Sequence, residues 1–288
     1  MKKNIIKTIS LNKKNKRKIF YRVLILGLIV STLISTLSFI KREINLGWLR
    51  KCYFAHRGLF NEIAPENSIG AFQKAIDSDF AIELDVQFTK DKKVVVFHDY
   101  TLERLTNVSK NLCDLSYEEI KKLNLLNTSE KIPLLEEVLT LVDGKVPLLI
   151  EIKNCSDVIT LGESVANILQ NYKGKYAIQS FDPCVLKWLK KNRNYILTGQ
   201  LIGRYEGIEE FKHCKNMVLD FKKFFLEYKL DFLSIDSYDI ENLAIRTFRV
   251  LRIPILSWTI RNENELEKIK KFADGYIFDS FIPNKYDK

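Results

Sequence analysis

Residues 81–98 read AIELDVQFTKDKKVVVFH, and whether they hold two barrel strands or one strand and a hairpin partner decides the fold. AIELDV (81–86) and KVVVFH (93–98) are both short, apolar runs of the kind that form strands. Only about half a dozen residues separate them, whereas a parallel crossover needs roughly a dozen or more. Lys90-Asp91-Lys92 is therefore expected to be a hairpin tip, and KVVVFH an antiparallel excursion. Outward from this stretch the chain repeats one theme. The runs CYFAH (52–56), VPLLIEI (146–152), YAIQSF (176–181), YILTGQLI (195–202), DFLSID (231–236), PILSWTI (254–260) and GYIFDS (275–280) alternate with helical stretches at 67–77, 157–172, 240–251 and 263–272. Such alternation means βαβ units and a parallel sheet. Setting the excursion aside leaves eight parallel strands, so the expected fold is an α/β, (β/α)8 TIM-type barrel over 52–288. It carries a small insertion at about 87–132, between the second strand and its helix. Ser116-Tyr-Glu-Glu119 inside the insertion is a capping-box pattern for a short helix. A chain of 288 residues, 46% hydrophobic, suffices for one such core.

The net charge of +10 invites a nucleic-acid reading until it is located. Lys2, Lys3, Lys7, Lys13, Lys14, Lys16, Arg17, Lys18 and Arg22 lie in residues 1–22 without a single acid, so the basic excess belongs to the tail and no nucleic-acid partner is indicated. Residues 23–40, VLILGLIVSTLISTLSFI, are uncharged throughout. At 1.5 Å per residue they make roughly 27 Å of helix, close to the hydrocarbon thickness of a bilayer. A single transmembrane helix over 23–40, followed by a linker at 41–51, is the expectation. The positive-inside rule puts the tail in the cytoplasm and the barrel outside the cell membrane. A cleaved signal peptide is the competing reading and would make the protein secreted. Cys52, Cys113, Cys155, Cys184 and Cys214 form no C-x-x-C pair, and their odd number and wide spacing favour buried free thiols over a disulfide framework or a zinc site.

Catalytic groups of a barrel collect where strands end. Here those ends are polar: His56-Arg57-Gly58 after the first run, Glu83 and Asp85 on the second, Glu151 and Lys153 on the third, and His98-Asp99 after the excursion. Strand alternation points Glu83 and Asp85 to one face, and likewise Glu151 and Lys153. Three carboxylates converging in a barrel mouth need a cation, and hard oxygen donors suit Mg²⁺ or Ca²⁺. His56 and His98 can deliver one base and one acid to a phosphoester. Arg57 offers a planar fork for phosphate oxygens. Singly, each has a plainer reading: a half-exposed strand face, a Glu151–Lys153 ion pair, a hydrogen-bonded structural histidine. His213, beside Cys214, is read as structural.

The set His56-Arg57-Gly58, Pro65-Glu66-Asn67-Ser68, Ala71-Phe72, Glu83-Leu84-Asp85-Val86, Thr89-Lys90-Asp91 and His98-Asp99 resembles the glycerophosphodiester phosphodiesterase family. Leu102-Glu103-Arg104, Ile132-Pro133-Leu134-Leu135-Glu136-Glu137, Glu151-Ile152-Lys153, Ser180-Phe181-Asp182, Trp258-Thr259 and Asp274-Gly275 continue it in order. The resemblance implies a TIM-type barrel with an insertion after its second strand. It also implies a divalent metal on Glu83, Asp85 and Glu151, with His56 and His98 as acid and base. Arg57 and Lys153 would bind phosphate, and Trp258 would wall a glycerol pocket. Glu66 and Asn67 would join the metal shell or cap the first helix. The implied reaction releases sn-glycerol 3-phosphate and an alcohol. Two alternatives stand beside it: a lysophospholipid or other lipid phosphodiesterase on the same barrel, and a non-catalytic membrane-anchored binding protein. Arg261 replaces a frequent Asn after the Trp-Thr pair, and Phe278-Asp279-Ser280 replaces a frequent Thr-Asp. The resemblance places both departures at the substrate rim.

Overall fold

The computed structural model describes residues 46–203, 228–241, 248–249 and 252–284. The basic tail, the 23–40 span, His213 and Cys214 lie outside the described residues, as does most of the 240–251 helical stretch. Among the described residues no helix is long and apolar enough to cross a membrane. The compact unit that carries the barrel is Leu49–Lys288.

All nine strand expectations are met, each within two or three residues. They are β1 (Tyr53–Ala55), β2 (Ala81–Phe88), β3 (Val94–Val96), β4 (Leu148–Ile152), β5 (Tyr176–Ser180), β6 (Leu197–Ile202), β7 (Phe232–Asp236), β8 (Ile255–Ile260) and β9 (Gly275–Phe278). The sheet runs β1-β9-β8-β7-β6-β5-β4-β2, and a β1–β2 pairing closes it into a parallel barrel of eight strands. β3 stands outside that ring and pairs antiparallel with β2, Val86 opposite Val96. The short Thr89–Lys93 connection forces this geometry, as chain length requires. The Thr89 amide bonds to the Lys93 carbonyl across it.

The strands are joined by helices α1 (Ile69–Asp77), α2 (Glu103–Thr106), α3 (Tyr117–Ile120), α4 (Leu135–Val142), α5 (Val158–Ile168), α6 (Pro183–Asn192) and α7 (Glu263–Ile269), with short 3-10 turns at Gly47–Leu49, Leu112–Asp114 and Leu169–Asn171. Ser68 starts α1 by accepting from the Ala71 amide at 3.1 Å. In α3 Glu119 reaches back to the Ser116 amide at 2.8 Å. Ile82, Leu84, Val86, Ile150 and Ile152 face the helix layer and form its core with Phe72, Leu135, Val138, Leu161 and Val165. β3 divides its faces between two cores. Val94 and Val96 join the main one, while Val95 and Phe97 pack with Leu102, Leu105, Leu112, Ile120 and Leu125 in a separate core inside the insertion.

The barrel interior is apolar below and polar above. Phe232 is fully buried beside Gly199, where any Cβ would lie 2.1 Å from its ring. That glycine therefore lets one aromatic ring fill the floor. The thiols correct the expectation of burial: Cys52 is half-buried, and the free thiols of Cys113, Cys155 and Cys184 are exposed. They sit on loops and helix starts, where no apolar layer covers them.

Candidate active site

β2 and β4 are in register, with Asp85 opposite Glu151, so alternation turns Glu83, Asp85 and Glu151 into the barrel mouth together. One carboxylate oxygen from each lies within 4.8 Å of the others, and all three residues are buried. Burial and its neighbours Asp85 and Glu151 push the Glu83 carboxyl well above its ordinary range. Burial opposes ionisation of Asp85 too, but His98, Lys153, Arg57 and a hydrogen bond from Asn67 hold it below the usual range. Like charges packed this closely titrate apart unless a cation sits among them. The donor set fits a hard divalent ion. Glu83, Asp85 and Glu151 are the residues that would hold it.

Lys153 shows that the plainer ion-pair reading was half of the truth. Its Nζ lies 2.8 Å from Glu151 and 3.5 Å from Asp85, with the side chain 3% exposed. Arg57 adopts a left-handed backbone (φ 57°), which aims its amide at Glu83 Oε2 (3.1 Å). Gly58 follows at φ 83°, and a Cβ there would meet Ala71 at 2.9 Å, so this turn needs glycine. Of the two expectations for Glu66 and Asn67, the helix cap is not met, because Ser68 caps the helix. Asn67 Nδ2 donates to Asp85 at 2.9 Å, orienting that carboxylate from behind. Glu66 is occupied by arginines, with Arg57 Nη1 at 2.6 Å and Arg104 Nη1 and Nη2 at 2.7 Å.

Each histidine has its own carboxylate. His98 Nδ1 donates to Asp99 Oδ1 at 2.7 Å, and His56 Nδ1 to Asp279 Oδ2 at 2.9 Å. A carboxylate can only accept, so both rings keep Nε2 for the cavity they line. Burial lowers the His56 pKa against the pull of Asp279. Arg104, from α2 of the insertion, bridges Asp99 (2.6 and 3.0 Å) to Glu66. A continuous chain of charge-assisted bonds thus runs His98–Asp99–Arg104–Glu66–Arg57. Gln87 adds a backbone clamp: its Nε2 donates to the carbonyls of Phe97, His98 and Asp99 at 2.8–3.0 Å.

A cavity of about 170 Å³ joins these groups, lined by His56, Arg57, Glu83, His98, Glu151 and Lys153. Trp258 and Arg261 line its far wall. All eight residues singled out as site residues therefore come together. Phe278, by contrast, is not at the rim: it is 1% exposed, facing the helix layer against Phe80 and Phe281. Its neighbour Asp279 is the side chain that reaches His56, with Arg261 Nε 3.8 Å away. Asp279, Asp99, Arg104 and Gln87 hold the site's histidines in place, a position not assigned to them from the sequence alone. The signal for Asp279 was available, because a closed barrel sets its last strand beside its first. Ala55 pairs with Phe278, and the next residues along are His56 and Asp279.

Comparison with known proteins gives one consistent answer. The model of the glycerophosphoryl diester phosphodiesterase family matches residues 56–282. A glycerophosphodiester phosphodiesterase from Caldanaerobacter subterraneus subsp. tengcongensis is 30% identical over 247 residues, 80% of this chain and 95% of that protein. A crystal structure of the Thermotoga maritima glycerophosphodiester phosphodiesterase superposes with a TM-score of 0.62 at 29% identity, covering 79% of this chain and 94% of that one. An Oleispira antarctica phosphodiesterase, solved with the product sn-glycerol-3-phosphate, has a TM-score of 0.70 at 20% identity, covering 82% and 95%. At that identity the last likeness concerns the fold.

Proposed function

The chain belongs to the glycerophosphoryl diester phosphodiesterase family, and from that premise we propose that it hydrolyses glycerophosphodiesters to sn-glycerol 3-phosphate and an alcohol, with His56 and His98 as acid and base beside a divalent ion. One observation carries this reading: two carboxylate-oriented imidazoles and a buried carboxylate triad line the same cavity. Glu83, Asp85 and Glu151 would hold a divalent cation, which would supply charge withdrawal from the phosphate oxygens. Arg57 and Lys153 present further positive charge to those oxygens. The two Nε2 atoms divide the proton transfers, one ring taking the proton of the nucleophile and the other returning one to the leaving alkoxide. Asp279 and Asp99 fix the tautomers that make this possible. The product in the Oleispira antarctica structure supports the choice of substrate end.

The test is hydrolysis of a panel of glycerophosphodiesters, with lysophosphatidylcholine included, in Mg²⁺, in Ca²⁺ and in EDTA. Turnover of glycerophosphodiesters that disappears in EDTA and returns with one of the ions is expected. Full activity in EDTA, or hydrolysis confined to the lysophospholipid, would overturn the reading. The same assay tests the bridging arginine. Arg104→Ala should lower kcat by about 10- to 100-fold, the usual cost of losing an orienting partner, with little change in KM. Arg104→Lys should restore only part, because an ammonium cannot grip Asp99 and Glu66 together.

For location, we propose a single-pass anchor at 23–40 with the barrel outside the cell membrane. The uncharged run and its basic flank support this. Protease accessibility of the barrel on intact cells checks it, and protection of the barrel would refute it.

A further inference from the structure

A second and larger cavity, about 660 Å³, adjoins the one just described, with Lys153 lining both. The β2–β3 hairpin and the loop after β4 form its walls. Its volume falls within the range of about 300–1,000 Å³ usual for small-molecule sites. Gln87, which clamps the His98 backbone, also lines it, so the space lies beside the reacting end of the barrel. The mechanism leaves it unused, and a diester needs room for its second half.

Resting on the phosphodiesterase reading, we propose that this cavity seats the alcohol portion of the diester and selects an anionic alcohol over a quaternary ammonium one. The charges lining it are Lys90, Lys92 and Lys153 against Asp157 alone. That acid pairs with Lys92, whose Nζ lies 2.8 Å from Asp157 Oδ2, and Lys153 pairs with Glu151, so Lys90 carries the excess positive charge of this wall. Asp91 at the hairpin tip is turned away, accepting from Thr89 and from the Tyr117 amide. A trimethylammonium group would look for an open aromatic face or an unpaired carboxylate. Two aromatic rings line this wall: Phe88, covered by Lys92 with its Nζ 4.8 Å from the ring centroid, and Tyr100, a single ring where a quaternary ammonium is best held by a cage of several. A phosphate or carboxylate on the alcohol meets lysines instead.

The experiment compares kcat/KM for three glycerophosphodiesters whose alcohols differ in charge: glycerol phosphate, glycerol and choline. The expected order is anionic, neutral, cationic, with about tenfold or more between the extremes, each exposed charge contributing a few-fold. Lys90→Glu should shrink that ratio several-fold, and Lys90→Glu with Lys92→Glu should shrink it further. Raising salt should narrow it in the unaltered protein, because these lysines are exposed enough to be screened. Equal rates for the three, a preference for choline, or a ratio indifferent to both variants and to salt would overturn the subsite while the phosphodiesterase reading stands. Hydrolysis of none of the three would overturn that reading and the subsite with it.

Discussion

His98→Ala and His56→Ala are each expected to lower kcat by about 10²–10⁴-fold, the span attributed to one positioned acid or base, without loss of the fold. Both rings lie at strand ends in the barrel mouth, so their removal empties a cavity edge and leaves the packed core intact. Circular dichroism and thermal unfolding should match the unaltered protein. The two variants should differ from each other on a diester with a p-nitrophenyl leaving group. Whichever histidine protonates the alkoxide becomes less necessary there, because p-nitrophenolate departs without a proton. Near-normal turnover by either variant on glycerophosphodiesters would refute its assignment. Asp279→Asn and Asp99→Asn should fall between, since each leaves the ring in place and loosens its tautomer.

The second large effect belongs to Glu83. Glu83→Gln is expected to lower kcat/KM by about 10²–10³-fold, the equivalent of several kcal/mol of lost charge stabilisation. Its pH signature separates a ligand from a merely buried acid. In the ion-free protein the Glu83 carboxyl titrates well above its ordinary range. Between that range and the raised value the folded protein holds a proton that the unfolded chain has released. Its stability therefore falls as pH rises through this window. Glu83→Gln should remove that slope, and so should a saturating divalent ion, because binding expels the proton and leaves folded and unfolded states alike in this window. By the same linkage, ion affinity of the unaltered protein should weaken on acidification through the window. Thermal unfolding in EDTA and in Mg²⁺ or Ca²⁺ at several pH values measures all three. Parallel slopes for the unaltered protein and the Glu83→Gln variant would exclude the assignment of Glu83 as a titrating ligand.

Much of this was legible in the residues because it rests on local periodicity. The alternation of Glu83 and Asp85 within one strand, the six-residue spacing that makes β3 a hairpin partner, and the capping box at Ser116 each need only a short window. The carboxylate triad follows once β2 and β4 are neighbours. What stayed hidden depends on side chains that meet across the fold. Arg104 stands in a motif of the resemblance, yet nothing gives it a partner until the insertion closes over Glu66 and Asp99. Asp279 needed the barrel's closing register as well as its own strand. Phe278 misled for a related reason: the resemblance concerned its position in the motif, while strand alternation sends its ring to the helix layer and its successor to the mouth. The thiols were misjudged because residue type predicts burial only on average.

The two-faced strand β3 has one more implication. His98 follows it by two residues, and its outward side is held by the insertion's small core of Val95, Phe97, Leu102, Leu105 and Leu112. Small cores open at lower free energy than large ones, so parts of a protein can loosen in turn. Warming should therefore release the insertion while the barrel still stands, carrying His98 and Arg104 out of place together. Heat inactivation of this protein would then be a reversible undocking at the hairpin, well short of the temperature at which the eight strands part.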